Sequence, residues 1–531
     1  MGWSAAFLDA LHSQHTAIKL HLEFAAPAVI SAAHGGSYHV SSHDSDYPMR
    51  LGVAGVSTTS SQVAPGSWSV THGAWSVTIV GSITGLLDNV KLGQMAVLYA
   101  GWEGWSTEHF EPIALGVLDN ITGSNPEWAL QFSDLLTGLG TRMTNSISNQ
   151  LSLFRSVSAT DTVAVTDYTA GDSTIRVVST AGFEQETGGS GLLAVTPISG
   201  DPSFYLKYTS SSATTFSGVS TGNEMGTDRA DAAIGSLVEE VGKVEGHPMT
   251  ILRNVLQSTG AGSNGAKDTL PLTWGYAIPE EWVDDDDVDL WLAVCATGGG
   301  LYSWEVAIHD MQSSGIAWLT SLLGGAAIWP VIRQGYLSAR CAQNPFQAST
   351  ARSGTYEHSG ITITDADLSA TTPIVYNARH PSQRAETIEV QVHYNNGGGS
   401  GNEASYSVTG LVDSLPATRR VEHDLLDRLF ISASSAAQNM ARDVARRVGY
   451  WELSISEGLT VSCEGLRMAQ LVAGDLVDIT TDQVQGRHSH TRAGYDGVVA
   501  MVTRVTTYWM EGRTELELAI PHSDGWDGIL V

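Results

Sequence analysis

The chain has 531 residues, which is more than one hydrophobic core normally organises, so its length predicts three or four domains. Its formal net charge is −29, and Lys and Arg nowhere form a basic run. A nucleic-acid-binding surface is therefore disfavoured, because phosphate contacts need clustered cations. The acidic balance is equally compatible with solubility or with a salty environment.

Neither a leader nor a membrane span is predicted. The first residues, Met1–Phe7, carry no basic group, and Asp9 and His12 follow too early for a secretory signal peptide. The most apolar stretch, Ile316–Ile332, is interrupted by two glycines and a proline and is too short to cross a bilayer. We expect this stretch to be a buried helix that leads into a strand.

Cysteine usage indicates the redox environment in which the chain is assembled. Cys295, Cys341 and Cys463 lie far apart and lack CxxC spacing. This pattern predicts reduced core residues of a protein assembled in a cytosol, and it argues against a disulfide scaffold.

Alternating apolar residues predict strands in the first part of the chain. Residues 17–24 place apolar side chains on one face and polar side chains on the other. Residues 68–80 predict two strands joined around His72-Gly73. Residues 96–99 and 113–117 continue the sheet.

The segment Thr180–Gly222 predicts a small β unit. A glycine turn at 188–191 separates two strands, Phe204–Tyr208 alternates, and a Thr-Phe-Ser-Gly strand closes the unit. The segment resembles a small β module of tailed-phage virion proteins, with Thr221 in place of the usual Arg and Lys207 in place of an acidic residue. The resemblance implies a virion protein, and the position of the module implies a peripheral insertion.

Apolar residues at helical spacing predict three helices, over residues 248–259, 315–323 and 434–448. Pro248 suits the first turn of the first helix, and Gly449 suits the end of the last. The middle helix is followed by a hairpin whose strands, 328–333 and 336–342, join at Gln334-Gly335.

Period-two patterns return near the C-terminus, in the segments 388–392, 459–463 and 516–520. Strands thus dominate both ends of the chain, and the helices fall between and beside them. The predicted fold class is mainly β with minor α.

Two sets of motifs resemble the tail hubs of siphophages and gene transfer agents. Segments 93–100, 112–121 and 129–134 are similar to the opening domain of such hubs. The helix around 441–447 and the strand-turn motif at 471–479 are similar to their closing domain. In that turn, Gly474 supplies an unusual dihedral angle and Asp475 is expected to bond the turn backbone, as also happens in hairpins of many other barrels.

The resemblance implies two tail-tube-like β-barrel domains, a middle α+β region and a small inserted β module. The corresponding segments are 1–155 for the first barrel, 156–245 for the module, 246–374 for the middle domain and 375–531 for the second barrel. It further implies a homo-oligomer, most simply a trimer, forming a ring that mimics six-fold symmetry.

Such a ring would belong to the tail tip or baseplate of a virion, assembled in the host cytoplasm, with no stable membrane association. Its implied partners are the tail tube or distal tail protein, the tape measure protein, and tail fibre or receptor-binding proteins. DNA would be present only in transit, and an acidic lumen would keep phosphates from sticking. A distal tail ring protein is the alternative within the virion, although such rings usually carry one barrel.

Two glycine-containing strings partly match enzyme motifs. Gly218–Gly222 satisfies GxSxG, but no clean helix start follows, as a nucleophile elbow requires. Gly260–Lys267 approaches a phosphate-binding loop, but a residue intervenes before the lysine and the helix precedes the loop. We expect no catalytic serine at the first and a flexible turn at the second.

Several acidic and histidine clusters contain residue types that bind metals or act in catalysis. Asp284–Asp287 lacks the spacing of a calcium loop, so a solvated, charge-dense loop is expected. The segments His43–Asp46 and His488–His490 lack convincing third and fourth ligands. Glu280 and Glu281 are adjacent and point apart, which disfavours a glycosidase pair. No catalytic, cofactor-binding or metal-binding residue is assigned, and no cofactor and no enzyme activity are expected.

A second class of function stays open. Fifteen Trp residues and the acidic surface are also compatible with a secreted or surface carbohydrate-binding β-protein or a glycosidase. The oligomeric state discriminates between the two classes, because the hub interpretation requires a ring and the sugar-binding interpretation is satisfied by a monomer.

Overall fold

The computed structural model describes residues 2–13, 18–24, 38–41, 52–56, 59–64, 68–80, 90, 92–124, 126–138, 144–145, 161–180, 183, 191–220, 224, 229–257, 274–275, 278, 280–296, 304–308, 315–343, 357–378, 387–393, 403–409, 420–425, 429–430, 434–484 and 494–521. Strands predominate there, which confirms the mainly β fold class. Within these ranges, every helix is too short or too polar to cross a membrane.

The described helices are α1 Ala5–His12, α2 Leu135–Gly138, α3 Pro248–Gln257, α4 Asp285–Ala296, α5 Gly315–Gly324 and α6 Ser434–Ser454. The strands of the N-terminal half are β1 Ile18–Phe24, β2 Tyr38–Ser41, β3 Gly52–Val56, β4 Thr59–Ala64, β5 Ser69–His72, β6 Trp75–Val80, β7 Met95–Trp102, β8 Glu111–Ser124, β9 Glu127–Asp134, β10 Thr144–Asn145, β11 Asp161–Val163, β12 Thr174–Arg176, β13 Gly191–Thr196, β14 Phe204–Tyr208, β15 Ser210–Ser212, β16 Thr215–Ser217 and β17 Leu237–Gly246. The strands that follow are β18 Trp274–Gly275, β19 Trp304–Ile308, β20 Ile328–Arg333, β21 Tyr336–Cys341, β22 Thr362–Thr364, β23 Val375–Ala378, β24 Thr387–His393, β25 Glu403–Thr409, β26 Arg420–Leu425, β27 Leu429–Phe430, β28 Ile455–Glu464, β29 Leu476–Thr481, β30 Tyr495–Tyr508 and β31 Arg513–Pro521.

The N-terminal sheet contains seven antiparallel strands in the order β2-β1-β7-β8-β9-β6-β3. The sheet curls, so that Cα atoms of its edge strands β2 and β3 come within 8 Å of each other. One face buries its own hydrophobic core, to which Leu20, Leu22, Phe24, Leu98 and Phe132 contribute. The apolar face predicted for this strand is buried, whereas His21 on the predicted polar face is buried too.

The C-terminal sheet has the order β22-β29-β30-β31-β28-β23, with one parallel pair between β22 and β29. The predicted strands at 459–463 and 516–520 are neighbours in it: Leu459 lies opposite Leu518, and Val461 lies opposite Leu516. These side chains belong to a second, separate hydrophobic core. Each end of the chain therefore builds a sheet with its own interior.

A strand pairing connects the two ends. Strand β4 pairs antiparallel with β30, where Ser61 lies opposite Val505, and the short strand β5 pairs with β4. Residues 59–64, which follow β3 of the N-terminal sheet in the chain, thus extend the C-terminal sheet. The division into four segments and the closure of either sheet into a complete barrel stay predictions.

The inserted β module has its own core. Strands β12, β16 and β15 form one small sheet, and β14 and β13 form a second one with β17. Tyr168, Leu193, Leu206 and Phe216 are buried between them. Strand β17 is long: its first half pairs with β11 and β13, and its second half pairs with β19 of the middle region.

The middle region holds α3, α4, α5 and the hairpin β20-β21, with α6 packed nearby on β24 and β25. The hairpin turn is the predicted one, and Gln334 and Gly335 have φ values of 51° and 74°, as a primed two-residue turn requires. Helix α6 was predicted to end at Gly449 but continues to Ser454. Burial of Tyr450 and Trp451 stabilises the additional turn and outweighs the helix-ending tendency of glycine.

Candidate functional site

A buried ion cluster lies where the middle region meets the C-terminal sheet. Arg340 on β21 is 1% exposed, and its guanidinium contacts two carboxylates. Its Nη1 lies 2.6 Å from Oδ2 of Asp287, and its Nε lies 2.8 Å from Oδ1 of Asp475. Asp287 belongs to α4, whereas Asp475 precedes β29. One arginine therefore connects three elements that are distant in sequence.

Further polar groups complete the hydrogen bonding of Asp287. Arg333 Nη1 donates to its Oδ1 at 3.0 Å, and Ser338 Oγ donates to its Oδ2 at 2.5 Å. Burial tends to raise the pKa of Asp287, but Arg340 and Arg333 outweigh burial and lower it. Asp287 is consequently held as a carboxylate in the interior, where an unpaired charge would be costly.

The two carboxylates and the Trp291 ring stabilise the charged form of Arg340. Burial tends to lower its pKa, but Asp475 and Asp287 outweigh burial and raise it. Its Cζ also lies 4.6 Å from the centre of the Trp291 ring, which is a cation–π distance. Arg340 therefore remains charged, paired and packed in one place.

The Gly474-Asp475 turn behaves as the sequence predicted and does more. Gly474 has a φ of 107°, and Asp475 Oδ2 accepts the backbone N–H of Val472 at 2.9 Å. A Cβ atom on Gly474 would lie 2.6 Å from Cζ2 of Trp329. The turn thus has two functions: it bends the chain into β29, and it seats against β20 of the middle region. The partners Trp329 and Arg340 carried no signal in the sequence.

The acidic run at Asp284–Asp287 is not the solvated loop that the sequence suggested. It forms the start of α4, and Asp284 and Asp287 are 1% and 6% exposed. Asp284 Oδ1 accepts the N–H of Asp287 at 3.2 Å, as an N-cap side chain does. Carboxylates at a helix N-terminus are stabilised by the helix dipole, which explains why the run is tolerated there.

The N-terminal segment forms a second junction. The backbone N–H of Trp3 donates to Gln334 Oε1 at 2.9 Å, and its indole N–H donates to the carbonyl of Pro112 at 2.7 Å. The Trp3 ring packs edge-on against Trp509 of the C-terminal half, with centroids 6.1 Å apart. Three parts of the chain therefore converge on one residue near the start.

The remaining sequence candidates lie only partly within the described residues. In the GxSxG string, Ser220 Oγ accepts the N–H of Lys207 and a hydrogen bond from Arg229 Nη2, and residues 221–223, which follow it, lie outside the described residues. Glu280 and Glu281 lie in a short 3-10 turn. Gly260–Lys267, His43–Asp46 and His488–His490 lie outside the described residues.

All three cysteines are buried, as the prediction of core residues requires. No group of three or more His, Cys, Asp or Glu side chains that could hold a metal ion occurs in the part of the chain that the structure describes. Most of the described tryptophan side chains are buried, and Trp105 and Trp128 are half-buried.

No protein-family model matches the chain, and neither does any curated protein sequence. Among solved structures, the chain is similar to the tail protein from Neisseria meningitidis MC58, with 9% identity, coverage of 97% of this chain and 98% of that chain, and a TM-score of 0.38. It is similar to the 43 kDa tail protein of prophage MuSo2 from Shewanella oneidensis, with 8% identity, coverage of 95% and 99%, and a TM-score of 0.38.

A third similar structure is a chain of the virion of a native gene transfer agent particle, with 12% identity, coverage of 65% of this chain and 77% of that chain, and a TM-score of 0.32. The descriptions of all three name a tail protein or a virion. At these TM-scores the likeness by itself assigns no function.

Proposed function

We propose that the chain is a structural subunit of a phage tail tip or baseplate hub. In this proposal, three copies form a ring that connects the tail tube to the host-adsorption apparatus and lines the channel for DNA. The chain contributes no catalysis; its function is to assemble and to hold its shape under load.

The observation that carries the proposal is where the hub-like motifs fall in the structure. Segments 93–100, 112–121 and 129–134 lie in β7, β8 and β9, which are adjacent in the N-terminal sheet. Segment 441–447 lies within α6, and segment 471–479 forms the turn that seats on Trp329 and then enters β29. Each motif is weak evidence by itself. Together, the three N-terminal segments lie in adjacent strands of one sheet, and segment 471–479 contacts the middle region through Trp329.

The joined sheets suit a mechanical role. The pairing of β4 with β30 and the contacts of Trp3 with Gln334 and Trp509 cross between the N-terminal and C-terminal halves. The Arg340 cluster in turn joins the middle region to the C-terminal sheet. Several separate connections resist separation better than one, since each must break before the halves part. A ring subunit that transmits force between a tube and a fibre needs this property.

The oligomeric state of the purified full-length chain tests the proposal. Mass photometry should give a trimer, and negative-stain images should show a ring with three-fold symmetry. A stable monomer at micromolar concentration that also binds glycans would refute the hub and favour the carbohydrate-binding alternative. A six-fold ring would favour the distal tail position.

The charge of the chain supports a further part of the same proposal. With a formal net charge of −29, a ring of three copies is strongly acidic, and an acidic lumen would repel the phosphates of passing DNA. Density for the ring at side-chain detail would show which charges face the lumen. A basic or neutral lumen would contradict the channel-lining role and leave the ring itself in place.

A further inference from the structure

The inserted β module exposes several large apolar side chains although it buries a core of its own. Of the ten large hydrophobic side chains that are exposed in the described residues, four belong to this module: Val165, Val178, Ile198 and Ile234. Ile198 and Ile234 are 65% and 59% exposed. Single exposed apolar residues are common on protein surfaces, so the arrangement of these four decides what they indicate.

Hydrogen bonds hold together the loops that carry Ile198 and Ile234. The backbone N–H of Ile198 donates to Ser236 Oγ at 3.1 Å, and Ser236 is fully buried. A Cβ atom on Gly235 would lie 3.1 Å from Cδ1 of Ile198. The Ile198 side chain therefore lies over the backbone next to Ile234, and the two exposed isoleucines are neighbours.

Val165 extends this apolar surface from a third loop. The N–H of Gly235 donates to the carbonyl of Ala164 at 3.0 Å, and the N–H of Ile234 donates to Asp167 Oδ1 at 3.0 Å. Val165 lies between these two bonded positions and is 42% exposed. The resulting surface, called the apolar tip, consists of Val165, Ile198 and Ile234.

The apolar tip lies away from the strand pairing that joins the module to the middle region. Strand β17 begins two residues after Gly235, and it pairs with β13 of the module as far as Val241. Its pairing with β19 starts at Gly242. The strand segment 237–242 separates the tip from β19 by about 17 Å, at 3.3 Å per residue. The pairing with β19 therefore does not cover the tip.

Exposed carboxylates accompany the apolar tip. Asp167 and Asp201 each use one carboxylate oxygen to hold their loops: Asp167 accepts the N–H of Ile234, and Asp201 accepts the hydroxyl of Ser199 at 2.7 Å. Asp231 precedes Ile234 by three residues, and all three aspartates are exposed. Negative charge is thus fixed beside the apolar side chains.

The arginines nearby do not balance these carboxylates. Arg176 is exposed, and its carbonyl accepts the N–H of Val165 at 3.0 Å. Arg229 is half-buried, and its Nη2 donates to Ser220 Oγ at 3.3 Å. The exposed charges described beside the tip are therefore three carboxylates and one guanidinium.

We propose that the apolar tip docks a protein segment that has apolar side chains at the centre of its contact surface and Lys or Arg at the edge. Burial of the three aliphatic side chains supplies affinity, and the carboxylates select a cationic edge. Nucleic acid and anionic lipid are repelled by the same carboxylates, and a second copy of the tip would bring like charges together. Docking requires only residues of the module, so it is independent of the proposed hub function.

Selection from a random-peptide display library tests the docking. The full-length chain is the bait, and the library is first depleted on the double variant Ile198→Ser/Ile234→Ser. The peptides that are recovered should combine apolar residues with Lys or Arg. Fluorescence anisotropy of the synthetic peptides should show an affinity for the double variant that is lower by about tenfold or more. Binding to the wild type should weaken as salt is added.

The matched control is Met510→Ser. Met510 is 52% exposed and precedes an acidic residue, but it lies outside the module, so this variant should bind the selected peptides as the wild type does. Asp201→Asn keeps an acceptor for the Ser199 hydroxyl and removes one charge, so its affinity should fall and depend less on salt. Circular dichroism and mass photometry check that each variant is folded and has as many copies per particle as the wild type.

Three results would overturn the docking proposal. One is that no peptide survives the depletion, a second is that the selected peptides lack Lys and Arg, and a third is that they bind the wild type and the double variant equally. A monomeric wild type that still binds the selected peptides through the tip would contradict the hub and support the docking. Failure of one proposal is therefore distinguishable from failure of the other.

Discussion

Arg340 and Asp475 join the middle of the chain to its C-terminal sheet through a hydrogen bond of 2.8 Å between Nε and Oδ1. Asp475 uses its other oxygen to hold the turn before β29, and Arg340 uses Nη1 to bind Asp287 of α4. Neither residue can be lost without leaving a buried partner unsatisfied. The pair thus makes the position of the C-terminal sheet depend on the helix α4.

Replacing the arginine of this cluster should destabilise the protein strongly. Arg340→Met keeps most of the volume but leaves Asp475 and part of Asp287 without a counter-charge in the interior. Removing one partner of a buried ion pair typically costs about 3–5 kcal/mol. The midpoint of urea unfolding, followed by tryptophan fluorescence, should therefore fall well below that of the wild type.

The matched control is Arg504→Met on strand β30. Arg504 pairs with Glu517 at 3.1 Å, but both side chains are more than a third exposed, and water screens the pair. Exposed pairs contribute less than about 1 kcal/mol. Equal losses for Arg340→Met and Arg504→Met would contradict the view that burial gives the cluster its importance.

Replacing Gly474 should also destabilise the protein, for a reason that does not involve charge. Gly474→Ala places a Cβ 2.6 Å from the Trp329 ring at a φ of 107°, so it meets both a clash and backbone strain. Gly465→Ala at a φ of 81° meets the strain alone, because nothing lies within 4 Å of its Cβ. Strain of this kind costs about 1–3 kcal/mol. Thermal melting should rank wild type above Gly465→Ala and Gly465→Ala above Gly474→Ala; similar losses for both variants would show that Trp329 yields.

Local patterns in the sequence predicted many of the strands and helices. Apolar residues recur every second residue in a half-buried strand and every third or fourth residue in a helix, so these elements can be recognised from a short segment. The strands at 459–463 and 516–520, the helix from Pro248 and the turn at Gln334-Gly335 all follow from neighbours within a few residues. The turn at Gly474-Asp475 was also predictable. In each case the physical cause lies within one turn or one pleat.

What could not be predicted depends on partners distant in the chain. The acidic run at 284–287 looked solvated because its counter-charges, Arg333 and Arg340, come later and fold back onto it. The pairing of Ser61 with Val505 is of the same kind. Residues so far apart in the chain have no regular spacing from which their contact could be predicted.

A buried histidine should make stability depend on pH. His247 caps α3 by accepting the N–H of Met249 at Nδ1, and burial, with help from Arg447, lowers its pKa from 6.5 to about 4. Between these pH values the unfolded chain binds a proton that the folded chain refuses. The stabilisation is therefore complete above pH 6.5 and is lost as pH falls toward 4, by up to ~3 kcal/mol at 1.36 kcal/mol per pKa unit.

The variant His247→Asn keeps a side-chain acceptor for the cap but has no group that titrates in this window. Its urea midpoint should change less than that of the wild type between pH 7 and pH 4.5. Parallel curves for the two proteins would mean that His247 takes up its proton in the folded state without penalty.

The inserted module should be dispensable for the ring. Its core around Tyr168, Leu193 and Phe216 is separate from the other cores, and Val163 lies directly opposite Leu237 in the antiparallel pair of β11 and β17. An Asn-Gly turn can therefore join these two residues in place of 164–236 and keep the hairpin. Mass photometry of the deletion variant should give the same number of copies per particle as the wild type. Circular dichroism and tryptophan fluorescence first establish that the variant is folded, and a folded monomer would show that the module is part of the contact between copies.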